Sequence, residues 1–252
     1  MRRRRPAACR PGRGAHILTR AWSQEIETRE TYAIKKTKKQ FRSEHDRDHA
    51  LAEVRTVMAI GEHENIVQCV GAWQADGHLF VQMEFCSLGN LKHYASRVGL
   101  LMEEELWCVL HDCSKGLKHI HDREFLHLDL KPENIFLTEE GLLKIGDFGV
   151  TVHQGCFEDG NEGDSVYLAL EVLDGEIGPA ADIFSLGIML FELAAQVDLP
   201  VRHLLPLSPP FTQLLHAVAC RAWNGALRLS KARVCRPTVA SGTTCGTGRG
   251  TL

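Results

Sequence analysis

Between Phe125 and Leu137 the chain reads Phe-Leu-His-Leu-Asp-Leu-Lys-Pro-Glu-Asn-Ile-Phe-Leu, and Asp147-Phe148-Gly149 follows downstream. The first segment supplies a carboxylate (Asp129), an amine (Lys131) and an amide (Asn134) at fixed offsets, and the second supplies another carboxylate (Asp147). The apolar triplet Ile135-Phe136-Leu137 that closes the first segment reads as a strand. Each piece alone is weak, because Asp-Phe-Gly occurs in ordinary turns and Lys-Pro-Glu-Asn in exposed loops. Together, in this order, they constrain both the fold and the chemistry.

Phosphoryl transfer needs such a set. Asp129 would orient an attacking hydroxyl and accept its proton, and Lys131 would sit beside the travelling phosphate. Asn134 and Asp147 would hold magnesium. The combination resembles the catalytic core of a eukaryotic protein kinase, of H-x-D-x-K-x-x-N plus D-F-G type. That resemblance implies an α+β, two-lobed protein kinase fold with ATP and Mg2+ as cofactors: a small β-rich lobe carrying one key helix, and a larger, mostly helical lobe.

Two upstream elements occur in the order the resemblance requires. Tyr32-Ala33-Ile34-Lys35 is similar to the V-A-I-K strand, whose lysine contacts the α- and β-phosphates. From about Ser43 to Ile60, Leu51, Val54 and Met58 recur at helical spacing behind Ser43 as N-cap. In the family this helix carries the acid that pairs with the strand lysine, which here is Glu53. Without that pairing Glu53 reads as a solvated acid among Glu44, Asp46 and Asp48.

At 252 residues the chain can bury a substantial core and fits one two-lobed domain better than two independent ones. Its 44% hydrophobic and 24% charged content are those of a soluble globular protein. A net charge of −3 gives no global electrostatic case for nucleic acid or membrane as partner. The nine scattered cysteines include no CxxC pair, which argues for free thiols in a reducing compartment, nucleus or cytoplasm, and against a zinc site or a disulfide framework. The run from Ile183 to Ala195 is too short to span a bilayer and reads as a buried helix. Arg2 to Arg5, Arg10 and Arg13 precede no apolar h-region, so the start does not read as a secretory signal. A nuclear-localisation patch and a disordered basic tail both fit it.

Along the chain we expect a basic, disordered lead over 1–20, a kinase domain over 21–238 and a flexible Ser/Thr/Gly-rich tail over 239–252. The smaller lobe would cover 21–85 and the larger 86–238. Expected strands are Asn65 to Val70 and His78 to Phe85. Glu84-Phe85-Cys86 would then form the inter-lobe hinge whose backbone receives an adenine, with Met83 as gatekeeper. Met83 fits plain core packing equally well. From Glu103 to His121, Leu106, Leu110, Cys113, Leu117 and Ile120 keep a 3.6-residue period, and Glu103-Glu104-Glu105 suit the first turn's dipole. Asp182-Ile183-Phe184-Ser185-Leu186-Gly187 resembles the opening of the family's central buried helix. The resemblance implies that Asp182 braces the catalytic-loop backbone; by itself it reads equally as an N-cap.

Several motifs are similar to the Wee family of cell-cycle kinases. These are the Gly163-Asp164-Ser165 to Glu171-Val172-Leu173 segment, His127-Leu128-Asp129-Leu130-Lys131-Pro132, Tyr32-Ala33-Ile34-Lys35-Lys36 and Gly71-Ala72-Trp73. The similarity runs from about Glu30 to Pro200. It implies phosphorylation of an inhibitory tyrosine on a cyclin-dependent kinase–cyclin complex. Gln82 to Cys86 and Lys144 to Gly149 also resemble the kinases that phosphorylate the α-subunit of translation initiation factor 2. Those keep Arg at the position of Leu128 and differ ahead of Glu171. Lys131-Pro132-Glu133-Asn134 alone would point to serine/threonine transfer, so tyrosine specificity rests on the resemblance.

Leu128 removes the cation that in many kinases meets a phosphate on the activation loop. The loop from Asp147 to Glu171 already carries Glu158, Asp159, Glu162 and Asp164, and its only hydroxyl side chains are Thr151, Ser165 and Tyr167. We therefore expect it to order without phosphorylation.

The ends depart from the pattern. Gly12-Arg13-Gly14 lies where G-x-G-x-x-G should cradle the phosphates, but the third glycine is missing. Arg236-Pro237-Thr238 resembles the late motif whose Arg pairs with Glu171, after a shortened helical stretch. The expectation is a kinase domain cut short at both ends. A pseudokinase binding module, which keeps the fold without transfer, is the competing class. The weak glycine loop favours it, while the presence of Lys35, Glu53, Asp129, Lys131, Asn134 and Asp147 favours the enzyme.

Overall fold

A computed structural model describes residues 20–24, 30–154, 163–173, 175 and 177–195. Gly12, Gly14, Arg236-Pro237-Thr238, the acidic residues Glu158, Asp159 and Glu162, and the 239–252 tail lie outside the described residues.

The smaller lobe is an antiparallel sheet with one helix against it. Strands β1 (Arg20–Gln24) and β2 (Thr31–Lys36) pair, and after helix α1 (Glu44–Ile60) come β3 (Cys69–Ala75) and β4 (His78–Glu84). The strand order is β1-β2-β4-β3. An Asp-Gly turn with both central residues at positive φ, Asp76 (50°) and Gly77 (71°), closes the β3–β4 hairpin, where the twist of such a turn matches the right-handed twist of the strands it joins. Helix α1 starts where its cap lies. Ser43 is extended and its hydroxyl accepts from the Asp46 N–H at 3.1 Å, while Glu44 and Asp46 suit the dipole.

The structure departs from the expected elements at three places. Met58 does not face the core; it is 72% exposed. Helix α1 packs Val54 against Leu79 and Val81 of the sheet and then drives Ile60 into the main core, with Val57 beside it. That 54, 57, 60 stripe rotates away from Met58. The stretch 65–68 is also not strand, since β3 begins only at Cys69. Its backbone is committed elsewhere. Val67 N–H donates to Ile145 O at 2.8 Å, Asn65 O accepts from Ile145 N–H at 2.9 Å, and the buried Asn65 amide donates to Leu143 O. Strand β4 stops at Glu84, one residue before the expected Phe85.

The larger lobe opens with β5 (Gly89–Asn90) and α2 (Leu91–Val98), capped by the Asn90 side chain, which accepts from His93 N–H. Helix α3 (Glu103–His121) has the expected bounds, and it buries Leu110, Cys113, Leu117 and Ile120. Then come β6 (Phe125–Leu126), a 3-10 turn at Pro132–Asn134, β7 (Ile135–Leu137), β8 (Leu143–Ile145) and β9 (Val152–His153). Strands β5, β7 and β8 form one small sheet, and β6 pairs with β9. A short helix α4 (Leu170–Leu173) precedes α5 (Pro179–Ala195), whose Ile183, Leu186 and Met189 lie in the core. Among the described residues no helix is long and apolar enough to cross a membrane. The result is the two-lobed α+β fold, with the 125–137 loop and Asp147 where the lobes meet.

Candidate active site

The loop entered from α3 is shaped by a buried carboxylate. Asp182, fully buried on α5, accepts the N–H of His127 at 2.9 Å and of Leu128 at 2.8 Å, and His121 donates to it at 2.8 Å. Burial alone would push this carboxyl up; the hydrogen bond and charge of His121, with His127 behind it, hold it below the ordinary aspartate value. Asp182 is thus a brace for the loop. The His127 ring donates to Gly146 O at 3.3 Å and packs edge-on against Phe148. With these restraints the backbone holds Leu128 at φ 60° and Asp147 at φ 64°, the left-handed region that side chains other than Gly seldom adopt.

The expected catalytic set converges on Asp129. Its Oδ1 accepts from Lys131 Nζ at 3.0 Å and from the Asp164 N–H at 2.9 Å, and its Oδ2 accepts from Asn134 Nδ2 at 2.7 Å. Asn134 Nδ2 also donates to the Asp129 carbonyl at 2.8 Å, which leaves the amide oxygen of Asn134 as its ligating atom. Lys131 lies 3.5 Å from the Asp164 carboxylate. Burial lowers the Lys131 ammonium, but Asp129 and then Asp164 outweigh it and keep it above the ordinary lysine value.

Lys35 of β2 meets Glu53 of α1 at 2.6 Å and Asp147 at 2.9 Å, so residues from both lobes join at one ammonium. Burial lowers Lys35, and the Glu53 and Asp147 carboxylates more than reverse this, holding it above the ordinary value. Around it lies a cleft of about 620 Å³ lined by Lys35, Glu53, Met83, Glu84, Phe85, Cys86 and Asp147, all expected from the sequence. The Glu84 carboxylate points away to Lys144 at 2.9 Å and to the Gln68 N–H. Burial, followed by the Glu84 charge, pushes the Cys86 thiol up to about 12, so it is an unreactive wall.

Some of the site was not anticipated. Ala33, Val67 and Phe136 supply apolar cleft wall. The signal for two of them was period-2 alternation: Ala33 shares a strand face with Lys35, and Phe136 points opposite the buried Ile135 and Leu137. Asp164 is another, and the reason it reaches Asp129 is local. A Cβ on Gly163 would stand 2.0 Å from Leu128 O, so only glycine lets this segment close on the loop.

The donor set fits a nucleotide with a hard divalent cation. Asn134 and Asp147 offer oxygen ligands, and among the described residues no group of three His, Cys, Asp or Glu side chains could hold a metal by itself. A cation bound through one or two protein oxygens plus substrate phosphates matches that pattern.

Residues 19–203 match the protein kinase domain family. Over 178 residues the chain is 43% identical to a probable protein kinase of Dictyostelium discoideum, covering 67% of this chain and 50% of that protein. It is 41% identical over 172 residues to the membrane-associated tyrosine- and threonine-specific cdc2-inhibitory kinase of Drosophila melanogaster, covering 67% and 32% respectively. It is also 41% identical over 177 residues to the mitosis inhibitor protein kinase wee1 of Schizosaccharomyces pombe, covering 67% and 20%. The chain spans half or less of the length of these relatives.

Proposed function

The chain belongs to the protein kinase domain family, and from that premise we propose that it transfers the γ-phosphate of ATP to a protein hydroxyl, the acceptor being an inhibitory tyrosine of a cyclin-dependent kinase. The observation that carries the transfer is the simultaneous assembly of both halves of the site. Lys35 joins Glu53 and Asp147 on the nucleotide side, while Asp129 is held by Lys131, Asn134 and Asp164 on the acceptor side.

The chain's own groups would act as follows. The cleft walls Ala33, Val67 and Phe136 bind a flat apolar ring, and Lys35, oriented by Glu53, binds phosphate oxygens. Asp129 accepts a hydrogen bond from the acceptor hydroxyl and takes its proton as the oxygen attacks. Lys131 spreads its charge over Asp129 and the incoming phosphoryl oxygens. When bound, ATP with its divalent cation, magnesium in our reading, supplies the phosphoryl group and neutralises charge on it; Asn134 and Asp147 would hold the cation.

The narrower substrate reading is supported by the names of two relatives, a cdc2-inhibitory kinase and a mitosis inhibitor kinase. It is also supported by the segment from Gly163 to Leu173 that resembles the Wee family. The test is transfer from Mg-ATP to a cyclin-dependent kinase–cyclin complex, with Asp129→Asn as matched control and the modified residue mapped. Transfer to a tyrosine, lost in the variant, is the expected result. Transfer to serine or threonine would sink the substrate reading, and none above the control, on this complex and on generic protein acceptors, would favour a nucleotide-binding module.

A further inference from the structure

Glu192, near the end of α5, is a buried carboxylate with two partners from distant parts of the chain. Its Oε2 accepts from the Tyr167 hydroxyl at 2.5 Å, and its Oε1 accepts from Lys92 Nζ at 2.7 Å. The side chain of Glu192 is 7% exposed and that of Lys92 39%. An exposed pair of this kind contributes little. A carboxylate removed from water is different, since it is tolerated only while charge and hydrogen bonds compensate it.

Tyr167 sits at a junction. Its carbonyl accepts from Ser185 Oγ at 2.8 Å, and it lies three residues beyond Asp164, whose N–H reaches Asp129. Asp182, Ser185 and Glu192 fall on one face of α5 by helical spacing. That single face therefore braces the catalytic loop through Asp182 and grips the 163–173 segment through Ser185 and Glu192. Lys92 enters from α2, and it also lines the cleft.

We propose that Lys92 is a positioning residue: by neutralising Glu192 it keeps that carboxylate buried as the acceptor for Tyr167, and so holds the 163–173 segment closed on Asp129. This rests on the kinase reading only for its consequence in catalysis; the structural coupling stands apart from it. The anchor also does what Leu128 cannot, ordering the segment with a buried charge where the sequence offers no cation for a loop phosphate. Of the three hydroxyls between Asp147 and Glu171, Tyr167 is already engaged and buried.

The test compares Lys92→Met, Tyr167→Phe, their double variant and Lys92→Arg in the full chain. Amide hydrogen exchange over 163–173 is measured against α3 as internal reference. Either single variant is expected to speed exchange of that segment by about tenfold, and the double variant no further, as coupled neighbours require. Lys92→Arg, which retains the charge, should stay within about twofold of the parent. On a cyclin-dependent kinase–cyclin complex, KM for the acceptor should rise more than kcat falls, a split that general loss of structure does not produce. Exchange unchanged in Lys92→Met, or effects that add in the double variant, would overturn the proposal. If Lys92→Met does not fold, Lys92→Gln replaces it with the same expectation. A parent chain that transfers no phosphate, yet shows the coupled exchange, would sink the kinase reading and leave this one standing.

Discussion

The two lobes hold their reactive groups by different physical means. On the small-lobe side Lys35, Glu53 and Asp147 meet through side chains that are 18–24% exposed. In the large lobe Asp182 is 0% exposed and clamps two backbone N–H groups as well as His121. The first arrangement depends on where α1 lies, and α1 meets the sheet through the small cluster of Val54, Leu79 and Val81. The second is part of the main core. The acceptor side of the site is thus preset, while the nucleotide side is assembled by a partly solvated ion triad that a shift of α1 would open.

That contrast can be broken by mutation, and the expected effects on stability fall in order. Asp182→Ala leaves two buried N–H groups and His121 without their acceptor. It should cost about 3–5 kcal/mol, a drop of roughly 10 °C in Tm for a chain of this size, read by thermal denaturation. Gly163→Ala places a Cβ 2.0 Å from the Leu128 carbonyl. It should cost about 1–3 kcal/mol as overpacking, and transfer should fall with it because the segment can no longer close on Asp129. Lys35→Met breaks a part-buried pair rather than a fully buried one, so its loss of stability should be smaller than that of Asp182→Ala, while phosphate transfer falls by about 100-fold or more. Equal losses of Tm in Asp182→Ala and Lys35→Met would erase the distinction between strut and bridge.

The pH dependence sharpens the same comparison from opposite ends of the scale. The Asp182 carboxyl is held below the 3.8 of an ordinary aspartate, so its contribution is fully present above that value. It is lost as pH falls through its lower folded value. Lys35 is held above 10.5, so its contribution is present below that pH and lost only as pH rises through its higher folded value. The Tm gap between parent and Asp182→Ala should therefore narrow in acid, and the smaller gap to Lys35→Met in alkali. Denaturation curves across both limbs check this, and a gap that closed on the wrong limb would contradict the assigned causes.

Much of the candidate site was legible because its parts are contiguous. Asp129, Lys131 and Asn134 sit in one short loop, and their convergence through direct hydrogen bonds follows from that spacing. Helix α3 has the bounds its 3.6-residue period implied, and α1 starts at its Ser43 cap. The hinge expected over Glu84 to Cys86 lines the cleft with Met83. The failures share a cause. Residues 65–68 carry an apolar strand-like pattern, yet Asn65 and Val67 bond to Leu143 and Ile145, a pairing that no local pattern announces. Met58 fits a helical stripe, but which stripe is buried depends on the two different surfaces that α1 must meet.

By itself, then, the sequence determined what depends on neighbours along the chain: which side chains are the candidates for the chemistry, where α1 and α3 begin, and that a two-lobed kinase domain was to be expected. Tertiary structure alone decided which long-range partners complete those groups. Asp164 reaches Asp129 because Gly163 lets the backbone approach, and Glu192 becomes an anchor only where Lys92 and Tyr167 arrive together. A buried charge is defined by what surrounds it, and its surroundings come from parts of the chain that the local pattern never compares.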